Sequence, residues 1–335
     1  MAKKWWIENG PRYEVVLSSR VRLARNIAEY PFPNMLDGKQ RSEIVSKVDG
    51  ALKGAAVGFS RNDMKELSET DRQILVEKHL ISPDLARMDG SAFISEDEHI
   101  SVMVNEEDHI RIQAMTAGFD LDKAYDTADK IDTVLENSLE YAFSEKYGYL
   151  TSCPTNVGTG MRASVMMHLP ALCMTSEISR VINSVSKFGV AVRGLYGEGS
   201  KARGDIFQIS NQITLGISEE ETINNLKSVA ESIIERETEV RMRLREENII
   251  KLADRLWRSY GILKNAQVLS SDEFMKLASD VRLGAVMGII GSVNTETLNE
   301  LETAVQPAGI TKSAGKELSP EQRDFERAKI VRERL

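Results

Sequence analysis

Apolar positions along this chain recur in two rhythms, one of mixed strands and helices and one almost purely helical. Val15, Val16 and Leu17 open an extended segment over 13–22 that runs into Ser18-Ser19-Arg20-Val21-Arg22. Helical spacing follows over about 39–53 and again over about 63–80. Residues 92–104 predict a hairpin, with Ala92 to Ile94 and Ile100 to Val104 flanking the acidic turn Ser95-Glu96-Asp97-Glu98. Ile131, Leu135, Leu139, Tyr141 and Ala142 are placed on one face of a long helix expected over about 122–146. Two more helices are predicted over 163–173 and 175–187. Extended segments over 189–196 and 205–215 follow, separated by a Gly-rich loop. Helices mixed with hairpin strands point to an α+β fold with an antiparallel sheet, not to alternating βαβ units.

From Ser218 the pattern changes. Residues 218–259 are charged and helix-periodic, opening with Ser218 and Glu221 as a capping box. Helical signals recur over 271–280 and 294–305, and the Pro307, Gly309 and Gly315 stretch over 306–315 predicts a mobile loop. A last helix begins with Ser319 as N-cap, Pro320 in the first turn and Gln322 completing a second capping box. The predicted organisation is a mixed α+β domain over 1–243 and an all-helical domain over 244–335.

Size and charge narrow the function classes. At 335 residues and 41% hydrophobic, the chain can build two sizeable cores. Its 43 basic and 51 acidic residues leave a net charge of −8, a poor match to non-specific nucleic-acid binding. There is no apolar run of membrane-spanning length, and the start Met-Ala-Lys-Lys-Trp-Trp-Ile-Glu has no signal-like apolar core. A cytoplasmic protein with neither membrane nor nucleic-acid partners is expected. The two cysteines make no disulfide framework, and the four histidines lack metal-ligand spacing, so no protein metal site is expected.

The chemistry-bearing residues are arginines set among glycines, serines and short extended segments. Arg20 and Arg22 alternate along a strand-like segment and so point to one face. Arg111 follows Asn105-Glu106-Glu107-Asp108, Arg162 ends a run from Cys153, and Arg193 opens Arg-Gly-Leu-Tyr-Gly-Glu-Gly-Ser. Any one alone reads as a solvated surface charge. Together they suggest a polyanion site, because guanidinium forks bind phosphate bidentately and keep their charge.

Common nucleotide signatures are missing. No Gly-x-x-x-x-Gly-Lys-Ser/Thr loop occurs, and Gly158-Thr-Gly160-Met-Arg-Ala163 lacks the apolar strand a dinucleotide fold needs before it. The Glu106/Glu107/Asp108 cluster is a candidate carboxylate site, although by itself it reads first as a solvated acidic turn after a strand. Glu198 lies between two glycines, where backbone can approach a ligand closely. Cys153, before Pro154, is either a structural thiol or a thiolate favoured by nearby guanidinium groups. Cys173, within an apolar run, is a core residue.

Ser18-Ser-Arg-Val-Arg22, Asn105-Glu-Glu-Asp-His-Ile-Arg111, Cys153-Pro-Thr-Asn-Val-Gly-Thr159, Arg193-Gly to Glu198, and Gln212-Ile-Thr-Leu-Gly216 occur in an order and spacing that resembles the phosphagen (guanidino) kinases. The likeness spans about 13–240. Val157 replaces the usual Ile or Leu, and Met166 stands where many relatives have an adenine-contacting His, which throws more of the stacking onto His79. The resemblance implies a glutamine-synthetase-like antiparallel sheet flanked by helices. It implies ATP, with Mg²⁺ held mainly by nucleotide oxygens and water. The implied nucleotide contacts are Ser18, Ser19, Arg20, Val21, Arg22, His79, Arg111, Arg162, Ala163, Ser164, Val165, Met166, Arg193, Gly194, Leu195, Tyr196, Gly197 and Glu198. Glu107 and Glu198 would clamp an acceptor guanidinium, with Cys153 in contact with it.

Two departures separate the chain from the small-molecule enzymes of that family. Its Ser-x-Arg-x-Arg motif begins at Ser18, without the helical domain that precedes it there, and residues from about 243 onward have no counterpart. Both features resemble the bacterial protein arginine kinases, whose acceptor is arginine in polypeptides. Arg323-Asp324-Phe325-Glu326-Arg327-Ala328 in the last helix resembles that group's phosphoarginine-binding regulatory motif. Without the resemblance, Arg323 and Arg327 form a solvated, salt-bridged face. The expected setting is bacterial stress response and marking of proteins for a Clp-type protease. Expected partners are proteins with exposed arginine, a small zinc-binding activator, a stress-regulon repressor, a Clp unfoldase and a second copy of the chain in a homodimer. The alternatives are a small-molecule guanidino kinase and a non-catalytic protease adaptor.

Overall fold

The computed structural model describes residues 4–194 and 203–335. Its centre is an antiparallel sheet built around β1 (Val16–Arg25), with β5 (Ile110–Ala117) on one side and β8 (Met161–His168) on the other. Outward from β5 lie β4 (Ile100–Val104), β3 (Ser91–Ser95) and β2 (Phe59–Asp63). Outward from β8 lie β10 (Ile206–Asn211) and β9 (Val190–Gly194). A small hairpin, β6 (Phe143–Ser144) and β7 (Gly148–Tyr149), stands apart.

One sheet face carries Val21, Leu23, Ile112, Ala114, Ala163, Val165 and Ile209, all essentially buried. Three helices cover it: α1 (Gly38–Leu52), α3 (Leu121–Glu136) and the first half of α6 (Glu219–Asn265). Short α2 (Glu69–Glu77), α4 (Pro170–Met174) and α5 (Ile178–Val185) flank the sheet. A second core forms among the later part of α6, α7 (Ser271–Val286), α8 (Thr295–Ala304), α9 (Pro307–Ala314) and α10 (Pro320–Arg334). Both cores touch through α6. That helix starts at the expected Ser218/Glu221 capping box and runs past residue 243, but its backbone leaves helical geometry at Asn248. The Asn248 side chain accepts from the Lys251 N–H, recapping the second half.

Four sequence expectations change here. Residues 163–168 form strand β8, not the start of a helix. The stretch Ala-Ser-Val-Met-Met has little β-branched character, yet pairing with β1 and β10 on both sides fixes it as a central strand. The helix over 63–80 shortens to α2, capped by Ser68, because 59–63 join the sheet edge. The helix over 122–146 stops at Glu136 before the small hairpin. Residues 307–314 are helix α9, not a loop: Pro307 sits in the first turn, Gly315 closes it at φ 65°, and Glu77 of α2 accepts from the Ala308 and Gly309 N–H groups.

Candidate active site

The face of the sheet opposite the core holds the arginines. Directly opposed residues of an antiparallel pair share a face. Arg22 is opposite Arg162 on β8 and Gln113 on β5, while Arg20 is opposite Ser164 and Met115. Ala24 opposes Arg111, Ser18 opposes Met166, and Met166 and Arg193 both oppose Gln208. Ser18, Arg20, Arg22, Arg111, Arg162, Ser164, Met166 and Arg193 therefore line one surface.

The register separates these from four other expected nucleotide residues. Ser19, Val21, Ala163 and Val165 are fully buried on the core face. Ser19 is occupied, donating to the Gly118 carbonyl and accepting from the Asp120 N–H. Period-two alternation turns their side chains away, so only their backbone lies near the arginines.

Among the described residues, charge on this face is unevenly compensated. Arg20 donates to the neutral Gln208 Oε1 at 3.2 Å. Desolvation, then the like charges of Arg111 and Arg162, push its pKa down to about 10. Arg22 falls well below its ordinary value for the same reasons: desolvation first, then Arg20, Arg111 and Arg162, with Glu106 opposing. The Arg22 Nε is buried without a hydrogen-bond partner among the described residues. Guanidinium groups gathered on one face, with Arg20 and Arg22 lacking a carboxylate partner among the described residues, suit a multivalent anion.

Carboxylates border it at one place. Arg111 pairs with Glu106 at 2.7 Å and with Glu107 at 3.0 Å. Glu106 is buried and also accepts from the Ser82 hydroxyl, whereas the Glu107 side chain is 41% exposed. Glu106 is thus a structural anchor for Arg111, and Glu107, paired with Arg111 but exposed, is the neighbour that an incoming cation can reach. Asp108 plays a third part, missed in the sequence. Its buried Oδ1 accepts from Asn26 Nδ2 and from the Ser152 N–H, both at 2.7 Å, tying the acidic turn to the Cys153 segment.

Cys153 caps a short turn over Pro154–Asn156, half-buried, with its thiol 3.1 Å from Thr155 Oγ1. Thr214 pins the far end of that segment by donating to the Thr155 and Val157 carbonyls. Gly158 has φ 115°, and a Cβ there would meet the Thr214 carbonyl oxygen at 2.0 Å, so only glycine fits. His79 lies across the cleft at φ 59°. Desolvation and the nearby Arg20 push its pKa down to about 4, leaving it neutral at pH 7.

Arg193 and Gly194 end β9 on the site's side. Leu195, Tyr196, Gly197 and Glu198 lie outside the described residues. Among the described residues, no group of three or more His, Cys, Asp and Glu could hold a metal ion. No helix there is long and apolar enough to cross a membrane.

Residues 41–240 match the model of the ATP:guanido phosphotransferase C-terminal catalytic domain. The chain belongs to this family of phosphotransferases. Residues 249–335 match the protein-arginine kinase McsB C-terminal domain. The chain is 51% identical over 328 residues to the protein-arginine kinase of Caldanaerobacter subterraneus subsp. tengcongensis, covering 96% of this chain and 97% of the relative. It is 50% identical over 339 residues to that of Moorella thermoacetica, covering 99% and 97%. Among solved structures, the duplicated taurocyamine kinase of Schistosoma mansoni with bound transition state analog components superposes with a TM-score of 0.60 at 28% identity. That match covers 72% of this chain and 36% of the other. Lombricine kinase shares the fold, with a TM-score of 0.60 at 24% identity over 69% of this chain and 68% of the other. Family membership makes ATP the phosphoryl donor.

The last helix differs from its sequence reading. Arg323 and Arg327 do not form an open two-pronged face. Arg327 is 1% exposed and donates to the Val305 and Leu269 carbonyls while pairing with Asp324. Ala328 beside it is buried, Phe325 is exposed, and Glu326 is half-buried. Arg323 stays part-exposed, donating to the Leu318 carbonyl. The face holding Arg327, Ala328 and Val331 is the one packed inward.

Proposed function

We propose that this chain transfers the γ-phosphoryl group of ATP to arginine side chains of proteins. The observation that carries the reading is the face shared by Arg20, Arg22, Arg111 and Arg162, on which Arg20 and Arg22 have no carboxylate partner among the described residues, beside the Glu107 carboxylate and Cys153. Arginine guanidinium has an ordinary pKa above 12 and carries no lone pair for attack at pH 7. A carboxylate that orients the planar fork and takes its proton as the N–P bond forms answers that difficulty. Glu107 is suited to it, with Glu198 as the second carboxylate by family likeness and Cys153 as a contact. The arginines hold the phosphates in line and stabilise the migrating phosphoryl group, so catalysis is alignment plus charge stabilisation. The donor set on this face is cationic, so Mg²⁺ belongs on phosphate oxygens, where it would add to that neutralisation.

Relatives at about half identity along their whole length bear the name protein-arginine kinase, which supports a polypeptide acceptor over a free guanidino compound. The test is mass spectrometry of a mixed protein substrate after incubation with Mg-ATP, under conditions that preserve acid-labile P–N bonds. Phosphoarginine in protein supports the reading; phosphorylation of free arginine alone overturns it.

Further parts of the proposal rest on the resemblance. They are a cytoplasmic role in stress response, marking of proteins for a Clp-type protease, and partnership with a zinc-binding activator and a stress-regulon repressor. Comparing substrate degradation with the parent and with Glu198→Ala separates this from an adaptor role; equal degradation would sink the marking idea. A homodimer through the helical region is supported by exposed Ile250 and Trp257, seven residues apart on α6. Sedimentation of Ile250→Glu tests it, a monomer being expected and an unchanged mass contrary. In regulation by phosphoarginine, Arg323 is the accessible arginine of the Arg323–Ala328 motif and Arg327 its internal fastening. Loss of phosphoarginine stimulation in Arg323→Ala is expected; an unchanged stimulation curve would end that reading.

A further inference from the structure

Behind the Cys153 segment lies an open groove of about 460 Å³, bordered by the β6–β7 hairpin and the start of α6. Gly158 and Thr159 border it too, so the groove abuts the far end of that segment. The contact is close. The Tyr149 N–H donates to the Gly158 carbonyl at 2.8 Å, and a Cβ at Gly148 would meet the same oxygen at 2.4 Å. Thr214, which pins the Cys153 segment through the Thr155 and Val157 carbonyls, is also part of the groove wall. A polypeptide whose arginine reaches Glu107 and Cys153 therefore has this groove beside it.

Two chemistries meet there. Phe143, Tyr147 and Leu215 line the groove and are 57%, 47% and 52% exposed. Exposed apolar side chains gathered in one place mark an interaction surface. The first turn of α6 adds Glu219, Glu220 and Glu221 in succession, and Glu145 sits in the hairpin turn. Glu219 is engaged by the Tyr125 hydroxyl and Glu221 by the helix cap. Glu145 and Glu220 are exposed and make no ion pair among the described residues. Lys146 is the cation of the groove wall, and its ammonium lies 5.0 Å from the Tyr147 ring centre. That ring face already receives a positive charge.

We propose that this groove docks the residues flanking the target arginine in the acceptor polypeptide, and that it selects basic and apolar side chains there. The inference rests on the reading above that the acceptor is arginine in a polypeptide. Carboxylates at the rim suit lysine or arginine, and the aromatic and leucine side chains suit aliphatic neighbours or the stems of those cations. A second copy of this chain fits less well, because a two-fold contact would set the same carboxylates against one another. The selection is partly electrostatic and so weakens as salt is raised.

The experiment gives the full chain Mg-ATP and two peptides of equal length, each with a single arginine. One flanks it with lysine and leucine, the other with glycine and serine. The parent is compared with Tyr147→Ser/Leu215→Ser and with Glu145→Lys/Glu220→Lys, all exposed positions. The parent is expected to favour the lysine/leucine peptide about tenfold in kcat/KM, with the difference in KM. Each double variant should bring that preference to within about threefold while keeping the parental kcat/KM on the glycine/serine peptide. Thermal unfolding checks that each variant folds; should one not fold, the other decides. No preference in the parent, a preference that survives in either folded variant, or an equal loss on both peptides overturns the proposal. Phosphorylation of neither peptide by a parent that binds Mg-ATP instead overturns the protein-acceptor reading beneath it. Fluorescence anisotropy of the labelled lysine/leucine peptide then decides the docking alone: binding lost in the variants supports it, and absent or unchanged binding overturns it.

Discussion

Two sets of buried or half-buried arginines coexist in this molecule, and they are treated in opposite ways. Arg25 ends the same strand on its core face, 1% exposed. Its Nε and Nη2 reach Asp132 at 3.0 and 2.6 Å, and its guanidinium lies 3.5 Å from the Tyr149 ring centre. Burial opposes its charge, yet Asp132, Tyr149 and Glu219 outweigh it and hold the pKa above the ordinary value. Arg327 and Arg282 in the helical region are likewise buried against carbonyls and carboxylates. Among the described residues Arg20 and Arg22 have no such partners, and their pKa values fall. The first group holds structure together. The second is kept short of counter-charge, which a ligand must supply, and leaving it so costs the empty protein stability.

Four substitutions sharpen or break that contrast. The largest effect is expected in Arg22→Met: initial rate of protein-arginine phosphorylation should fall about a thousand-fold, the scale of removing a transition-state charge partner. A rate within a few-fold of the parent would remove Arg22 from the site. Next comes Arg25→Met, which strands the buried Asp132 carboxylate. Denaturant unfolding should show a loss of about 3–5 kcal/mol, and a loss below about 1 kcal/mol would mean that the pair is not structural. Arg327→Met leaves the Val305 and Leu269 carbonyls unpaired, for which about 2–3 kcal/mol is expected in the same measurement. No loss there would return this arginine to an open regulatory face.

The smallest effect concerns pH. Unfolded histidine titrates near 6.5, whereas His79 in the fold protonates only near 4. Between those values the unfolded chain takes up a proton that the native site refuses. The stability linked to His79 is therefore complete above about pH 6.5 and declines on acidification towards pH 4. His168, also depressed by burial beside Arg241 and Arg282, adds to the same slope. Stability measured from pH 7 to pH 4.5 should consequently fall less steeply in His79→Gln than in the parent. Parallel curves would show that His79 is not held neutral.

Part of this architecture was readable in the sequence because it is local. The alternation of Arg20 and Arg22, the capping boxes at Ser218 and Ser319, and the hairpin over 92–104 all became what their spacing implied. Elements governed by distant partners were not readable. Ala163 to Met167 lacks strand-like composition and is a strand only because two neighbours pair with it. The Pro/Gly stretch at 307–315 is a helix whose first N–H groups are capped by Glu77. At the site, sequence brought the arginines and Glu107 together but could not sort Ser19, Val21, Ala163 and Val165 onto the opposite face while 163–173 was read as helix. Asp108 stood out only as part of an acidic cluster; its tie to the Cys153 segment comes from contacts with remote residues and gave no signal. Arg323 and Arg327 showed a weak one: Ala328 and Val331 continue the apolar stripe that Arg327 joins, so that face was the one to turn inward.

The contrast between the two arginine sets is tested most directly by thermal unfolding of the parent, Arg22→Met and Arg25→Met, each with and without saturating Mg-ATP. Ligand at about a hundred times its dissociation constant stabilises a binding-competent fold by about 2.7 kcal/mol. The parent should show that upward shift. Without nucleotide, Arg22→Met should unfold at or above the parent's temperature and gain little from Mg-ATP, whereas Arg25→Met should unfold well below it. An Arg22→Met protein as unstable as Arg25→Met, yet still stabilised by Mg-ATP like the parent, would contradict the account.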